Sequence, residues 1–168
     1  QYNPAVFAAA KTALNQLKAH STVRGKQIVS VHCRKGDYVD HDYICLPVEY
    51  YAAAFSKFNP SDTVFVICSD EVQAAKKMFG TLKGKSERPT ILYSPFSVKE
   101  TGILNPAVDM ALMSLSDHCI IANSSYSWWG SWFGDRESKR ILAPPIWFDN
   151  SKTKEHAICR DKWEIVEY

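Results

Sequence analysis

Arg34 and Lys35 stand side by side just after an apolar run at 28–32, and Ser124 and Ser125 stand just after another at 119–122. Two cations on one loop and two hydroxyls at the start of a following helix suit one kind of ligand, an anion with several oxygens. The guanidinium of Arg34 can grip phosphate oxygens as a planar fork. A helix that opens near Ser124 and Ser125 adds unsatisfied backbone N–H groups and the positive end of its dipole. Together these make a diphosphate clamp. The plainer reading is that Arg34 pairs with Asp37 inside its own loop and that Ser124 only caps a helix.

Other candidates carry less. Asp40, His41 and Asp42 form an Asp-x-Asp stretch that could hold a divalent metal on a nucleotide, yet two carboxylates and a histidine are too few to specify one. A solvated loop is the favoured reading, and no metal site is expected. His20, His118 and His156 are scattered without ligand spacing and read as surface or capping residues. Trp129 and Trp132 share a helical face and read as core packing, which leaves sugar stacking to Tyr126 or Trp128. Gly130 and Gly134 allow close helix–strand approach or end the helix. No G-x-G-x-x-G or G-x-x-x-x-G-K occurs, which argues against the common dinucleotide and P-loop sites.

A clamp of this kind needs a scaffold that carries residues 34 and 124 to one edge. Asn3 as N-cap and Pro4 in the first turn open a helix to about residue 18. A strand at 28–32 precedes a helix over 47–58, with Val48, Tyr51, Ala52 and Phe55 on one face. The run 64–68 is nearly all apolar, as expected of a strand covered on both faces. Asp70 caps the next helix, which ends near Gly80. A strand at 90–93, a helix at 106–116, a strand at 119–122, a helix at 127–133 and a strand at 141–143 complete the series. Strand–helix alternation predicts an α/β fold, a parallel sheet with helices on both faces.

Ligands of open α/β sheets bind beyond the carboxyl ends of the strands. Here those ends read His32-Cys33-Arg34-Lys35-Gly36-Asp37-Tyr38, Ser69-Asp70-Glu71, Ser94-Pro95-Phe96 and Asn123-Ser124-Ser125-Tyr126-Ser127. All four are polar, small or charged. The strands themselves are apolar.

The chain of 168 residues fits one domain, 1–168. Its 46% hydrophobic and 23% charged residues exclude a disordered chain, and its net charge of +2 excludes a phosphate-neutralising nucleic-acid surface. No apolar run is long enough to span a bilayer. The first residue is Gln1 rather than Met, so the chain reads as a fragment or a trimmed form, and a membrane anchor would lie upstream. Five cysteines without a C-x-x-C pair read as buried thiols, with one disulfide at most.

The run Val31-His32-Cys33-Arg34-Lys35-Gly36-Asp37-Tyr38, followed by Glu49-Tyr50-Tyr51, resembles the H-x-R-R-x-D-Y…E-Y-Y signature of the α-1,2-fucosyltransferases of glycosyltransferase family 11. Ile67 to Glu71 is similar to that family's second block. Asp109 to Ser114 and Ile120 to Gly130, with its SSYSWWG run, are similar to the third, and Ala143 to Phe148 fits the close. The resemblance implies the Rossmann-like, nucleotide-binding half of a GT-B glycosyltransferase, with most of the acceptor-binding half upstream. It implies metal-independent, inverting transfer of L-fucose from GDP-β-L-fucose to a galactose-containing glycan, with no cofactor. By matching position, Arg34 holds the diphosphate and stabilises departing GDP, Asp37 braces the arginine loop, and His32 contacts the nucleotide. Lys35, Ser124, Ser125 and Tyr126 serve the phosphates, Asp109 the guanine or its surroundings, and Asp70 lies near the nucleotide. Lys35 departs from the family's second arginine: charge survives and the fork does not. Asp40 and Asp42 are candidate bases for the acceptor hydroxyl, beside an upstream residue or the leaving phosphate itself.

Three rivals stand beside this. One is a non-catalytic nucleotide-binding module, and the others are an α-1,6 enzyme or a protein O-fucosyltransferase, from which the SSYSWWG run points away. The resemblance implies a membrane-associated enzyme, in the Golgi if eukaryotic and on the cytoplasmic side if bacterial, attached through an upstream segment. Asn123-Ser124-Ser125 is formally a glycosylation sequon inside the expected donor pocket, and is expected to be unused.

Overall fold

Asn3 accepts the Ala5 N–H on its side chain at 2.9 Å, and Pro4 occupies the first helical position, where its missing N–H has no partner to lose. Helix α1 (Pro4–Ala19) therefore starts where the sequence says it should. After it come β1 (Gln27–Cys33), α2 (Val48–Phe55), β2 (Thr63–Ser69), α3 (Val72–Gly80), β3 (Thr90–Tyr93) and α4 (Pro106–Leu115). The series ends with β4 (His118–Ile120), α5 (Ser125–Phe133), β5 (Ile141–Ala143) and β6 (Glu164–Ile165). The structure, a computed structural model, describes residues 2–36, 44–82, 88–94, 106–147 and 158–168. Asp37, Asp40, Asp42 and His156 lie outside them.

The six strands form one sheet in the order β3-β2-β1-β4-β5-β6, and every pairing is parallel. Alternate residues feed two cores, as the two-residue strand period requires. Val29, Val31, Cys33, Phe65, Ile67, Ile120 and Leu142 pack against Tyr50, Tyr51 and Phe55 of α2 and Phe79 of α3. On the opposite face Ile28, Val64 and Val66 meet Leu14 of α1 and Leu112 of α4, while Cys119, Ile121 and Ile141 meet Met113 and Trp128. Both faces are covered, as the apolar strands anticipate. Among the described residues no helix is long and apolar enough to cross a membrane.

Several local expectations change. Helix α5 opens at Ser125, two residues earlier than the apolar periodicity places it. Strand β6 is two residues long and carries no sequence signal, since a pair of residues has no periodicity. Trp129 and Trp132 are not core: they are 47% and 40% exposed, and the buried side of α5 is made by Ser127, Gly130 and Ser131, whose small size lets the helix lie close. Gly134 ends α5 as its C-cap, as expected, and the approach that both glycines allow is to a helix rather than a strand, since their neighbours are Met110, Met113 and Ser114 of α4. His118 is buried rather than at the surface, where its Nδ1 accepts the Arg140 N–H at 3.0 Å. All five cysteines are free thiols; Cys33, Cys68 and Cys119 are buried, one on each of the strands β1, β2 and β4.

Candidate functional site

Strands β1 and β4 are neighbours, although two strands separate them in sequence. From β1 the chain steps outward through β2 and β3, then returns to lay β4 on the other side. This reversal is the topological switch point, and it is beyond the carboxyl ends of such strands that open α/β sheets form their ligand crevice. The register pairs Val31 with Ile120, so the segment His32 to Lys35 and the segment Ala122 to Tyr126 leave the sheet side by side. The cationic loop and the N-terminus of α5 thus share one edge.

His32 is buried at that edge, 3% exposed, with its ring centroid 5.0 Å from that of Tyr126. Burial, with the Arg34 charge beside it, lowers the imidazole pKa to about 3, so the ring is neutral at physiological pH. Its Nδ1 is buried without a hydrogen-bond partner in the structure. Tyr126 donates its hydroxyl to the Pro106 carbonyl, and burial raises its pKa well above the ordinary value. Ser124 is buried at the N-cap of α5 but makes no side-chain cap hydrogen bond, so capping does not account for its hydroxyl. Ser125, at the first helical position, is exposed.

Arg34 Nη1 lies 2.9 Å from Asp70 Oδ2, and Asp70 Oδ1 accepts the Lys35 N–H at 3.0 Å. Asp70 is therefore not the cap expected of it. The N-cap of α3 is Glu71, without a side-chain cap hydrogen bond, because the Asp70 carboxylate is turned to the loop after β1. Lys35 extends Nζ to the Leu46 carbonyl at 3.3 Å. Asp109, buried on α4, accepts a hydrogen bond from the Ser94 hydroxyl just past β3, which ties a second strand end into the same rim. No group of three or more His, Cys, Asp or Glu residues suited to a metal occurs among the described residues.

The sequence matches Glycosyl transferase family 11 across residues 4–167. The chain belongs to that family. An alpha-1,2-colitosyltransferase of Escherichia coli is 29% identical over 169 residues, covering 96% of this chain and 55% of its own. The O-antigen biosynthesis glycosyltransferase WbnK of Escherichia coli is 32% identical over 142 residues, covering 80% of this chain and 43% of its own. The chain spans about half the length of these curated relatives. A crystal structure of the NodZ alpha-1,6-fucosyltransferase with GDP aligns at 17% identity and a TM-score of 0.49, covering 78% of this chain and 41% of that one.

In this family 11 chain the strand ends are also held by residues to which the sequence assigned no hydrogen-bonding part in the site. Two adjacent tyrosines of α2 reach the strand ends from below. Tyr51 donates to the His32 carbonyl at 3.1 Å, and Tyr50 donates to the Ile121 carbonyl at 2.6 Å. Asn123 Nδ2 donates to the Ile44 carbonyl at 2.9 Å and to the Trp147 carbonyl at 3.4 Å, holding both neighbouring segments against β4. In the folded chain this amide nitrogen is engaged on both sides, on a residue 5% exposed. The signal for the tyrosines was a phenolic hydroxyl on an otherwise apolar helix face, since buried Tyr hydroxyls seek acceptors. For Asn123 no local signal exists: its partners come from 79 and 24 residues away.

Proposed function

We propose that this chain is the donor-binding half of an inverting GT-B glycosyltransferase, which moves L-fucose from GDP-β-L-fucose to the 2-hydroxyl of a galactoside. One observation carries the reading: the β1/β4 reversal sets the Arg34 loop beside the N-terminus of α5. In the reaction the acceptor oxygen attacks the anomeric carbon, and the bond to the diphosphate breaks with its electron pair going to GDP. Negative charge grows on the leaving phosphate, and fixed donors aimed there lower the barrier. Arg34 supplies a full charge, and α5 supplies backbone N–H groups and a dipole end, with the Ser124 and Ser125 hydroxyls beside them. The hydroxyl proton passes to a base, for which Asp40 and Asp42 remain the candidates in this chain. Asp109 is assigned to the surroundings of the guanine, and Lys35 contributes field rather than a second fork.

These cations do the work that a divalent metal does in metal-dependent transferases, so the reaction is proposed to need none. The test is a thermal-shift panel on the full protein. GDP at about 100 times its dissociation constant should stabilise it by about 2.7 kcal/mol, equally in EDTA and in Mn²⁺, and UDP should do markedly less. Preference for UDP, or no shift with either, overturns the reading. The alpha-1,2-colitosyltransferase that matches nearly the whole chain supports a second reading, in which the donor carries a colitosyl group and the site is otherwise the same. Transfer assays with the fucosyl and colitosyl donors side by side separate the two.

A further inference from the structure

Asp70 belongs to β2's carboxyl end, not to the cationic loop, yet three observations converge on it from that loop. Its Oδ2 lies 2.9 Å from Arg34 Nη1. Its Oδ1 accepts the backbone N–H of Lys35 at 3.0 Å. A Cβ built on Gly36 would stand 2.5 Å from that same Oδ2, so any side chain there would push the carboxylate out of its place. Three consecutive residues are thus shaped around one carboxylate: a guanidinium, an amide and a missing side chain. The Asp70 and Arg34 side chains are 25% and 29% exposed, so water only partly screens the pair.

A long arginine side chain without a partner samples many rotamers and aims its fork in many directions. Paired with the Asp70 carboxylate, the guanidinium keeps its charge and presents its plane in one direction. We propose that Asp70 is a positioning residue: it sets the orientation of Arg34 toward the donor diphosphate, with Gly36 as the space that admits its carboxylate. The resemblance gives a bracing role to Asp37, which lies outside the described residues; Asp70 braces the same loop from the end of β2. The assignment rests on the donor-site reading above.

Because Arg34 keeps its charge when Asp70 is lost, ground-state affinity and turnover should respond differently. In the full protein, Asp70→Ala should leave GDP affinity within about threefold and lower kcat by about 10–100-fold, the loss expected when a transition-state donor is misaimed. In an Arg34→Ala background the same substitution should change kcat by less than about twofold, because the residue it acts through is gone. Gly36→Ala should lower kcat like Asp70→Ala, and that effect should vanish when Asp70 is already Ala. Should Asp70→Ala fold poorly, Asp70→Asn keeps the shape and should fall between wild type and Ala. An additive loss in the Arg34→Ala background, or unchanged turnover in Asp70→Ala and Asp70→Asn, overturns the assignment of Asp70 while leaving the donor site standing. Wild-type protein that fails to bind GDP overturns the donor site, and this assignment with it.

Discussion

Arg34 can serve a ligand or a loop, and the two roles separate by substitution. It pairs with Asp70, and losing one partly solvated ion pair costs only modest stability. Arg34→Ala should therefore shift the urea midpoint only slightly while transfer by the full protein falls by about 10²–10³-fold. Arg34→Lys should recover little of that, because a point charge cannot reproduce the fork. A destabilised variant that still transfers at the parental rate would make Arg34 structural. His32 yields a different kind of test. Its pKa is lowered to about 3 by burial first and Arg34 second, against about 6.5 in the unfolded chain. Between those values the unfolded chain binds a proton that the folded one refuses, so stability rises with pH across this window. The contribution is complete above about pH 6.5 and lost as pH falls toward 3, at up to about 1.4 kcal/mol per pH unit. His118, whose pKa burial also lowers, adds in the same direction. Urea midpoints measured from pH 4.5 to 6.5 should rise less steeply for His32→Asn than for wild type, and parallel slopes would show that His32 is not held neutral.

At the scale of the element, α4 and α5 meet closely, with glycines at the contact. A Cβ on Gly134 would overlap the backbone of Ser114, including its carbonyl, and backbone cannot swing aside as a side chain can. Gly134→Ala should cost about 3 kcal/mol or more, read as a lower urea midpoint. Gly80→Ala is the control: nothing lies within 4 Å of its Cβ, so that substitution should be neutral or slightly stabilising. Elements of this size were legible where a pattern repeats within them. The all-apolar run at Val64 to Cys68 announced a buried strand, and Asn3-Pro4 announced a helix start. The residues that misled are those whose outcome is decided by a distant partner. Asp70 has the right type and place to cap α3, but Arg34 and the Lys35 N–H outbid the helix for its carboxylate. Trp129 and Trp132 share a face as the spacing says, and no spacing reveals that this face looks outward while Gly130 and Ser131 look in. The strand ends pointed to the edge where the Arg34 loop and the N-terminus of α5 come together. They said nothing of Tyr50 and Tyr51, which hold it from behind.

At the scale of the whole molecule, the reversal of strand order makes the site a product of the complete sheet, since β1 and β4 become neighbours only after β2, β3 and α4 have been laid down. The same arrangement puts a sulfhydryl inside each of the strands β1, β2 and β4, in Cys33, Cys68 and Cys119, while Cys45 and Cys159 are only half-buried. Burial raises the Cys33 pKa to about 11 and raises that of Cys68, which leaves almost no thiolate to react while the strands stay paired. These sulfurs are therefore built-in clocks for strand opening. With a thiol-specific reagent under native conditions, Cys45 and Cys159 should be modified first. Cys33, Cys68 and Cys119 should follow at one shared, much slower rate, set by the free energy needed to part the central strands. Mass spectrometry of the partially labelled protein reads that order directly. Early labelling of Cys33 alone would mean that the arginine-bearing strand opens by itself, and that the floor of the crevice is softer than the sheet around it.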